Sequence, residues 1–120
     1  MFVNIARWRV PKENSEKQFE LWYKVMEYQR SHPEKVFYVL SRFFTFTEKG
    51  SSEENWMAIA EYKNREDFDK GMKTIKEDPG FAKLLDEFFP KWDAIIVAES
   101  RKHEYWTEIK KLKAEPPPKK

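Results

Sequence analysis

The stretch "EYKNREDFDKGMKTIKEDPGF", Glu61 to Phe81, contains two helix starts within 21 residues. Asn64 precedes an acidic first turn, so its side chain can accept the N–H bonds that open a helix. Apolar residues then recur at helical spacing until Asp78 and Pro79, which match a second capping residue and a first helical position. The stretch therefore predicts two short helices joined at Asp-Pro-Gly.

Upstream of this stretch, the sequence predicts a strand, a helix and a hairpin. The aromatic and β-branched run from Phe2 to Val10 reads as a strand that Pro11 ends. Ser15 and Gln18 match a capping box, which opens a helix from Glu16 to about Arg30. Two further strands, Val36 to Thr47 and Trp56 to Tyr62, are separated by a polar turn and form an antiparallel hairpin. Downstream, Ala94 to Ser100 is the last clear strand.

This order of elements predicts an α+β domain of the ferredoxin-like βαββαβ type. Such a domain has a four-stranded antiparallel sheet with its helices on one face. The second face cannot be a solvated one, because adjacent residues such as Phe43 and Phe44 make both alternating sets apolar. We therefore expect a homodimer in which two sheets pack face to face.

The chain has the length of one domain, for which we predict residues 1–102. Residues 103–113 form a C-terminal arm, in which Tyr105 and Trp106 pack either across the partner subunit or back on the chain's own sheet edge. The proline-rich residues 114–120 are expected to be a disordered tail.

Composition excludes several classes of function. The 23 Lys and Arg against 21 Asp and Glu are mixed along the chain, so no basic strip marks a nucleic-acid site. The sequence contains no run of about 18 apolar residues, so we predict no membrane span. The absence of cysteine and of a signal sequence predicts a cytoplasmic protein, and the 37% of charged residues resembles a thermophile composition.

Few residues stand out as catalytic or metal-binding candidates. His32 and His103 lie far apart without other ligands at metal-site spacing, so we predict no metal, and His103 is kept only as a candidate for proton transfer. Five charged residues interrupt apolar strands: Arg7, Arg42, Glu61, Glu99 and Arg101. We expect the first and third strands to be adjacent and parallel, so that Arg7 and Glu61, each late in its strand, can meet on the same face. Such a cluster is either a charged lip that orients a substrate or an ion-pair cluster at the sheet end or dimer seam.

The phrase "AIAEYKNREDFDKGM…DPGFAKLLDEF" resembles the dimeric α+β barrel superfamily, and within it the antibiotic biosynthesis monooxygenase-like group. The resemblance covers Phe2 to about Ser100. It implies that the break between the two short helices helps to wall a small cavity between helices and sheet. The ligand-binding residues implied in this way are Asn4, Trp22, Tyr62, Phe81 and Leu85. Alternatively, the break only bends the helix to follow the core.

Members of the superfamily that degrade haem are expected to use Asn, Trp and His at positions where this chain has Ala6, Tyr62 and Leu85. No cofactor is therefore predicted. The resemblance implies a small-molecule-binding protein, either a cofactor-independent monooxygenase-like enzyme acting on an aromatic or apolar compound or a non-catalytic dimeric module for effector binding or assembly. A cavity with a polar group facing an aromatic wall favours the enzyme, and a filled core with an external patch favours the module.

Overall fold

The computed structural model describes residues 1–118. Four strands and three helices make up the domain: β1 (Phe2–Pro11), α1 (Ser15–Ser31), β2 (Leu40–Phe46), β3 (Glu53–Tyr62), α2 (Arg65–Glu77), α3 (Pro79–Asp93) and β4 (Val97–Thr107). Short 3-10 turns lie at Lys12–Asn14, Pro33–Lys35 and Lys110–Leu112.

The strands form one antiparallel sheet in the order β2-β3-β1-β4, which confirms the ferredoxin-like prediction. The expectation that β1 and β3 are parallel is wrong, because Phe2 faces Tyr62 while Pro11 faces Glu53. The reason is topological. The crossover through α1 returns β2 in the direction of β1, and the hairpin then reverses β3.

The break between the two short helices is confirmed, and we call Glu77 to Gly80 the helix joint. Asn64 Oδ1 accepts the N–H of Asp67 at 2.9 Å, and Asp78 Oδ2 accepts the N–H of Phe81 at 2.9 Å. Both side chains thus satisfy backbone donors that have no partner inside a helix. Beyond the joint, α3 continues past Pro90 to Asp93.

The capping box predicted at α1 is wrong. Asn14 precedes the helix without a side-chain capping bond, and the hydroxyl of Ser15 donates instead to Glu54 on β3. Gln18 is fully buried and accepts hydrogen bonds from tryptophan side chains. A buried indole N–H needs an acceptor, and this need takes Gln18 away from the helix end.

Three strands differ in length from the sequence expectation, and of these β3 begins at Glu53 instead of Trp56. The strand β2 is shorter than the predicted Val36 to Thr47, since it begins at Leu40 and ends at Phe46. The strand β4 is Val97–Thr107 instead of Ala94 to Ser100, and it pairs with β1 through a register shift between Arg7 and Arg9.

The longer β4 takes in the first part of the predicted C-terminal arm. Residues 103–107 pair with β1 of the same chain, which is the alternative in which this segment folds back on its own sheet edge. The N–H of Glu108 then bonds to the carbonyl of Met1 at 2.9 Å. Contact of the remaining arm with a partner subunit stays a prediction. Residues 114–118 of the predicted tail have no regular structure, and the last two residues lie outside the described part of the chain.

All three helices lie on one face of the sheet. There the larger core cluster joins Trp8 and Val10 of β1 to buried residues of α1 and α3. A smaller cluster joins Phe2 of β1, Tyr62 of β3 and Phe68 of α2. Alternate strand residues point to the other face, which we call the open face. It exposes four large apolar side chains: Leu40 (43%), Phe44 (42%), Phe46 (65%) and Trp106 (57%).

Candidate ligand sites on the two faces of the sheet

The space between the helices and the sheet is dominated by a tryptophan cluster, which we define as Trp8, Trp22, Trp92 and Gln18. The ring of Trp8 lies 5.6 Å from that of Trp22 and 5.2 Å from that of Trp92. Gln18 Oε1 accepts the indole N–H of Trp8 and, at 3.2 Å, that of Trp92. One amide oxygen therefore serves two strongly buried donors.

Three buried polar atoms in this interior have no hydrogen-bond partner among residues 1–118. They are Gln18 Nε2, Trp22 Nε1 and Asn4 Oδ1. A buried donor or acceptor without a partner is costly, so we expect each of these atoms to have one. A water molecule or a polar ligand atom can supply the missing hydrogen bond. Asn4 and Trp22 belong to the ligand-binding residues implied by the resemblance, while Leu85 packs against the same core cluster.

The other two implied ligand-binding residues lie at a separate place beneath the helix joint. Tyr62 and Phe81 line a cavity of about 30 Å³ together with Lys35, Gly71 and other residues. A space of this size holds one water molecule. The structure thus brings Tyr62 and Phe81 together but places Trp22 and Leu85 in the neighbouring core cluster.

Burial alters the acidity of the tyrosines at the joint cavity. Tyr62 is 5% exposed, and the loss of solvent raises its pKa to about 12. Burial also raises the pKa of Tyr38, whose hydroxyl donates to Gln29 Oε1 at 2.7 Å. Burial therefore favours the neutral form of both phenols.

An ionic contact holds the helix joint to the end of α1. Lys35 Nζ donates to the hydroxyl of Tyr28 at 2.8 Å and to Asp78 Oδ2 at 2.9 Å. The bonds to Tyr28 and Asp78 raise the pKa of Lys35, and the bonds from Lys35 and from the Phe81 N–H lower the pKa of Asp78. Gly80 completes the contact, because a Cβ at this position would collide with the Tyr28 hydroxyl.

A large concave feature lies on the open face. This open-face groove has a volume of about 560 Å³, which is within the range of small-molecule sites. The β2 and β3 side contributes Phe44, Phe46 and Met57, and the β1 and β4 side contributes the cations Arg7, Arg9 and Lys102. Its further lining residues are Trp8, Thr45, Glu48, Asn55, Trp56, Glu99 and Ser100.

The charged residues singled out in the sequence form separate pairs instead of one group. The Nε atom of Arg7 donates to Glu104, and this bond is the main reason why the pKa of Glu104 is lowered. Arg42 lies 3.6 Å from Glu61, with both side chains on the open face. Arg101 pairs at 2.8 Å with Asp93 at the end of α3, and Glu99 lines the open-face groove.

Neither histidine lies in one of the cavities described above. His103 is an exposed residue of β4 opposite Ala6. His32 stacks on the Tyr28 ring at 4.1 Å. Among residues 1–118, no three His, Asp or Glu side chains are grouped so that they could hold a metal ion. In the same part of the chain, every helix is too short or too polar to cross a membrane.

Sequence reasoning missed Gln18, Arg9 and Lys102. Gln18 did leave a signal, because it stands four and seven residues before Trp22 and Val25 and so belongs to the apolar stripe of α1. Arg9 and Lys102 left none, since their proximity depends on the pairing register of β1 with β4.

Comparison with solved structures places this architecture among known folds. An antibiotic biosynthesis monooxygenase superposes with a TM-score of 0.59 at 14% identity, over 91% of this chain and 99% of that chain. A NIPSNAP domain protein from Burkholderia xenovorans has a TM-score of 0.58 at 10% identity, over 91% and 95%. SnoaB, a cofactor-independent oxygenase from Streptomyces nogalater, has a TM-score of 0.55 at 12% identity, over 90% and 93%.

No protein-family model matches the sequence, and the comparison with curated proteins finds no match either. At identities this low, the solved structures inform on the fold alone. The resemblance noted in the sequence is confirmed at that level: this chain has the ferredoxin-like α+β fold of the antibiotic biosynthesis monooxygenase-like proteins.

Proposed function

We propose that this chain is a small-molecule-binding protein that works as a homodimer, with the open faces of two sheets packed together. The observation that carries the proposal is the open face itself, where four large apolar side chains remain exposed and two of them, Phe44 and Phe46, line a groove of about 560 Å³. Monomeric proteins rarely leave such a surface uncovered, and the groove has the size of a ligand site.

A second copy of the chain is the occupant that best fits the charges of this face. The side chains of Arg7 and Arg42 are each paired with a carboxylate of the same face, Glu104 and Glu61 respectively. These two arginines therefore add no unpaired positive charge when two copies approach. The exposed aromatic residues of the same face, Phe44, Phe46 and Trp106, provide apolar area that a stable dimer can bury.

Of the two classes of function left open by the sequence, the packing favours the non-catalytic dimeric module. The interior holds closely packed tryptophan and phenylalanine rings, and the cavity beneath the helix joint has room for one water molecule. The external patch, by contrast, is large and apolar. A filled core with such a patch is the arrangement expected of an effector-binding or assembly module.

A native mass spectrum and sedimentation velocity of the freshly purified protein test this proposal. We expect a dimer, with additional mass if a ligand is retained. The variant Phe46→Glu should shift the protein toward monomer, because Phe46 is 65% exposed on the open face. The matched control is Phe19→Glu, which changes a residue that is 56% exposed on α1 and should leave the dimer intact. A monomeric wild-type protein would contradict the dimer.

The unpartnered interior atoms favour a second candidate, a cofactor-independent monooxygenase-like enzyme. In this alternative an electron-rich aromatic or apolar compound lies between the helices and the sheet, near Asn4, Trp22 and Leu85 and toward Tyr62 and Phe81. Asn4 Oδ1 and Trp22 Nε1 would bond to its polar groups. The fold similarity to SnoaB, a cofactor-independent oxygenase, supports the same candidate. The aromatic packing would have to loosen to admit the compound.

Oxygen uptake in the presence of a panel of quinols and anthrones tests the enzyme. We expect uptake to fall in Trp22→Phe, which keeps an aromatic ring but lacks the indole N–H, and in Leu85→Trp, which fills interior space. Phe19→Glu on the outside of α1 is the control. If the wild-type protein causes no uptake above buffer with any compound of the panel, the enzymatic candidate is wrong.

A further inference from the structure

We propose that the open-face groove binds a planar aromatic compound that carries an anionic group. The rings would lie against Phe44 and Phe46, and the anion would face Arg7, Arg9 and Lys102. This inference rests on the proposed small-molecule binding, and in the proposed dimer the groove lies between the two packed sheets. It assigns the ligand to the open face instead of to the interior beneath the helices.

The two sides of the groove have different chemistry. Phe44 and Phe46 stand on β2 with their side chains on the same face, and Met57 and Asn55 are their cross-strand neighbours on β3. The opposite side carries three cations on β1 and β4. A flat apolar ring with one charged substituent matches both sides at once, because the ring contacts the phenylalanines while the substituent reaches the cations.

The cations are arranged in a way that the fold alone does not require. Arg7 and Lys102 are directly opposite each other in the antiparallel pair of β1 and β4. Like charges at such positions destabilise a sheet unless an anion lies between them. Glu104 bonds to the Arg7 guanidinium through a single nitrogen, Nε. Lys102 also lowers the pKa of Glu104, but no carboxylate among residues 1–118 forms a salt bridge within 4.0 Å of Lys102, so one carboxylate serves both cations of the pair.

Arg9 extends the positive side of the groove by two residues along β1. Its Nη1 atom bonds to Glu53 at 2.8 Å, while the other guanidinium N–H groups are not used by this contact. A guanidinium has five N–H donors, so both arginines retain donors for a carboxylate. Arg9 and Arg7 thus present a row of donors that ends at Lys102.

Two acidic residues also line the groove, and they provide a test of the sign of the ligand's charge. Glu48 follows the end of β2, and Glu99 stands near the start of β4. The lining therefore contains three cations and two carboxylates. If the ligand is an anion, each of these carboxylates opposes its binding, and removal of either charge should strengthen the affinity.

Isothermal titration with 2-naphthoate and its uncharged analogue 2-naphthamide tests the inference. We expect 2-naphthoate to bind about fivefold or more tightly than 2-naphthamide, and the preference to shrink as salt is added. Lys102→Met should remove most of this preference, whereas Lys17→Met on the outside of α1 should leave it unchanged. Glu99→Gln should increase the affinity for 2-naphthoate. Equal affinities for the two compounds, or an unchanged preference in Lys102→Met, would overturn the inference.

The aromatic side is tested by Phe44→Leu, which keeps an apolar residue but removes the ring. Both probes should then bind more weakly by a similar factor, because the ring contact is common to them. Native mass spectrometry with 2-naphthoate separates this inference from the proposed dimer. A dimer that takes up no probe would show that the groove is not a ligand site, although the proposed dimer is correct. A monomer that binds the probe would show that the groove is a ligand site, although the proposed dimer is wrong.

Discussion

The two faces of the sheet contain aromatic residues of the same kind in different surroundings. Phe43 and Phe44 are neighbours in the sequence. The ring of Phe43 lies 5.0 Å from that of Trp22 beneath the helices, while Phe44 is 42% exposed on the open face. Their hydrophobicity is identical, so it cannot explain the difference. What differs is the layer above each face, which the chain itself supplies on one side only.

The largest expected effect comes from the covered face. Trp8→Ala removes a side chain that is 2% exposed and packs against three other tryptophans, so we expect the free energy of unfolding to fall by about 3–5 kcal/mol. Trp106→Ala on the open face should change the stability of the monomer much less. Urea denaturation of both variants at low protein concentration measures the two effects. If both variants lose a similar amount of free energy of unfolding, the two faces do not differ in their contribution to the stability of the monomer.

Gln18→Leu should have the next largest effect. The leucine keeps the bulk of the side chain but leaves the indole N–H groups of Trp8 and Trp92 without their acceptor. We expect a loss of about 1–3 kcal/mol in the free energy of unfolding. Gln29→Leu, which removes the acceptor for the less deeply buried Tyr38 hydroxyl, serves as the milder control. If Gln18→Leu is neutral, the polar centre of the tryptophan cluster does not stabilise the fold.

Alkaline pH tests the covered face in another way. The pKa of Tyr62 is raised from 10.0 to about 12 because burial disfavours the phenolate. The folded state therefore prefers the neutral phenol. The stabilisation is complete below pH 10 and is lost as the pH rises through about 12. Denaturation curves at pH 8 and pH 11 should show a smaller alkaline loss in Tyr62→Phe than in the wild type. Tyr23→Phe, at an exposed position of α1, should behave like the wild type.

The smallest effect is expected from the ion pair of the open face. Arg42 and Glu61 are 3.6 Å apart and partly exposed, and such pairs contribute about 0–1 kcal/mol. Arg42→Met should therefore leave monomer stability almost unchanged, and any effect should appear in the dissociation constant of the dimer. Sedimentation equilibrium measures that constant. A large loss of monomer stability would show that the open face contributes to the fold of the single chain.

The sequence predicts those parts of the fold whose signals are local. Asn64 and Asp78 cap their helices because the capping side chain and the N–H that it accepts are three residues apart. The order of elements then leads to the sheet. The direction of β3 relative to β1 was misjudged because it follows from the path of the whole chain. The second half of β4 is not predicted from the sequence, because the charged residues from Arg101 to Glu104 lack the apolar pattern of a strand. This strand lies at the edge of the sheet.

The candidate sites are less accessible to sequence reasoning, since they depend on side chains that are distant in the chain. Gln18 fits both a helix cap and the core, and only the position of the indoles decides between them. Arg7 and Lys102 are 95 residues apart and become neighbours through the register of β1 with β4, which shifts between Arg7 and Arg9. No local pattern records such a register.

The contact between Gly80 and Tyr28 has a consequence for the evolution of this chain. Any side chain at position 80 would collide with the Tyr28 hydroxyl, which is held in place by Lys35 and Asp78. Positions 28 and 80 should therefore covary among homologues: a larger residue at position 80 should occur only where position 28 has lost its hydroxyl or become small. This pair offers a diagnostic for alignments of distant relatives that share the helix joint.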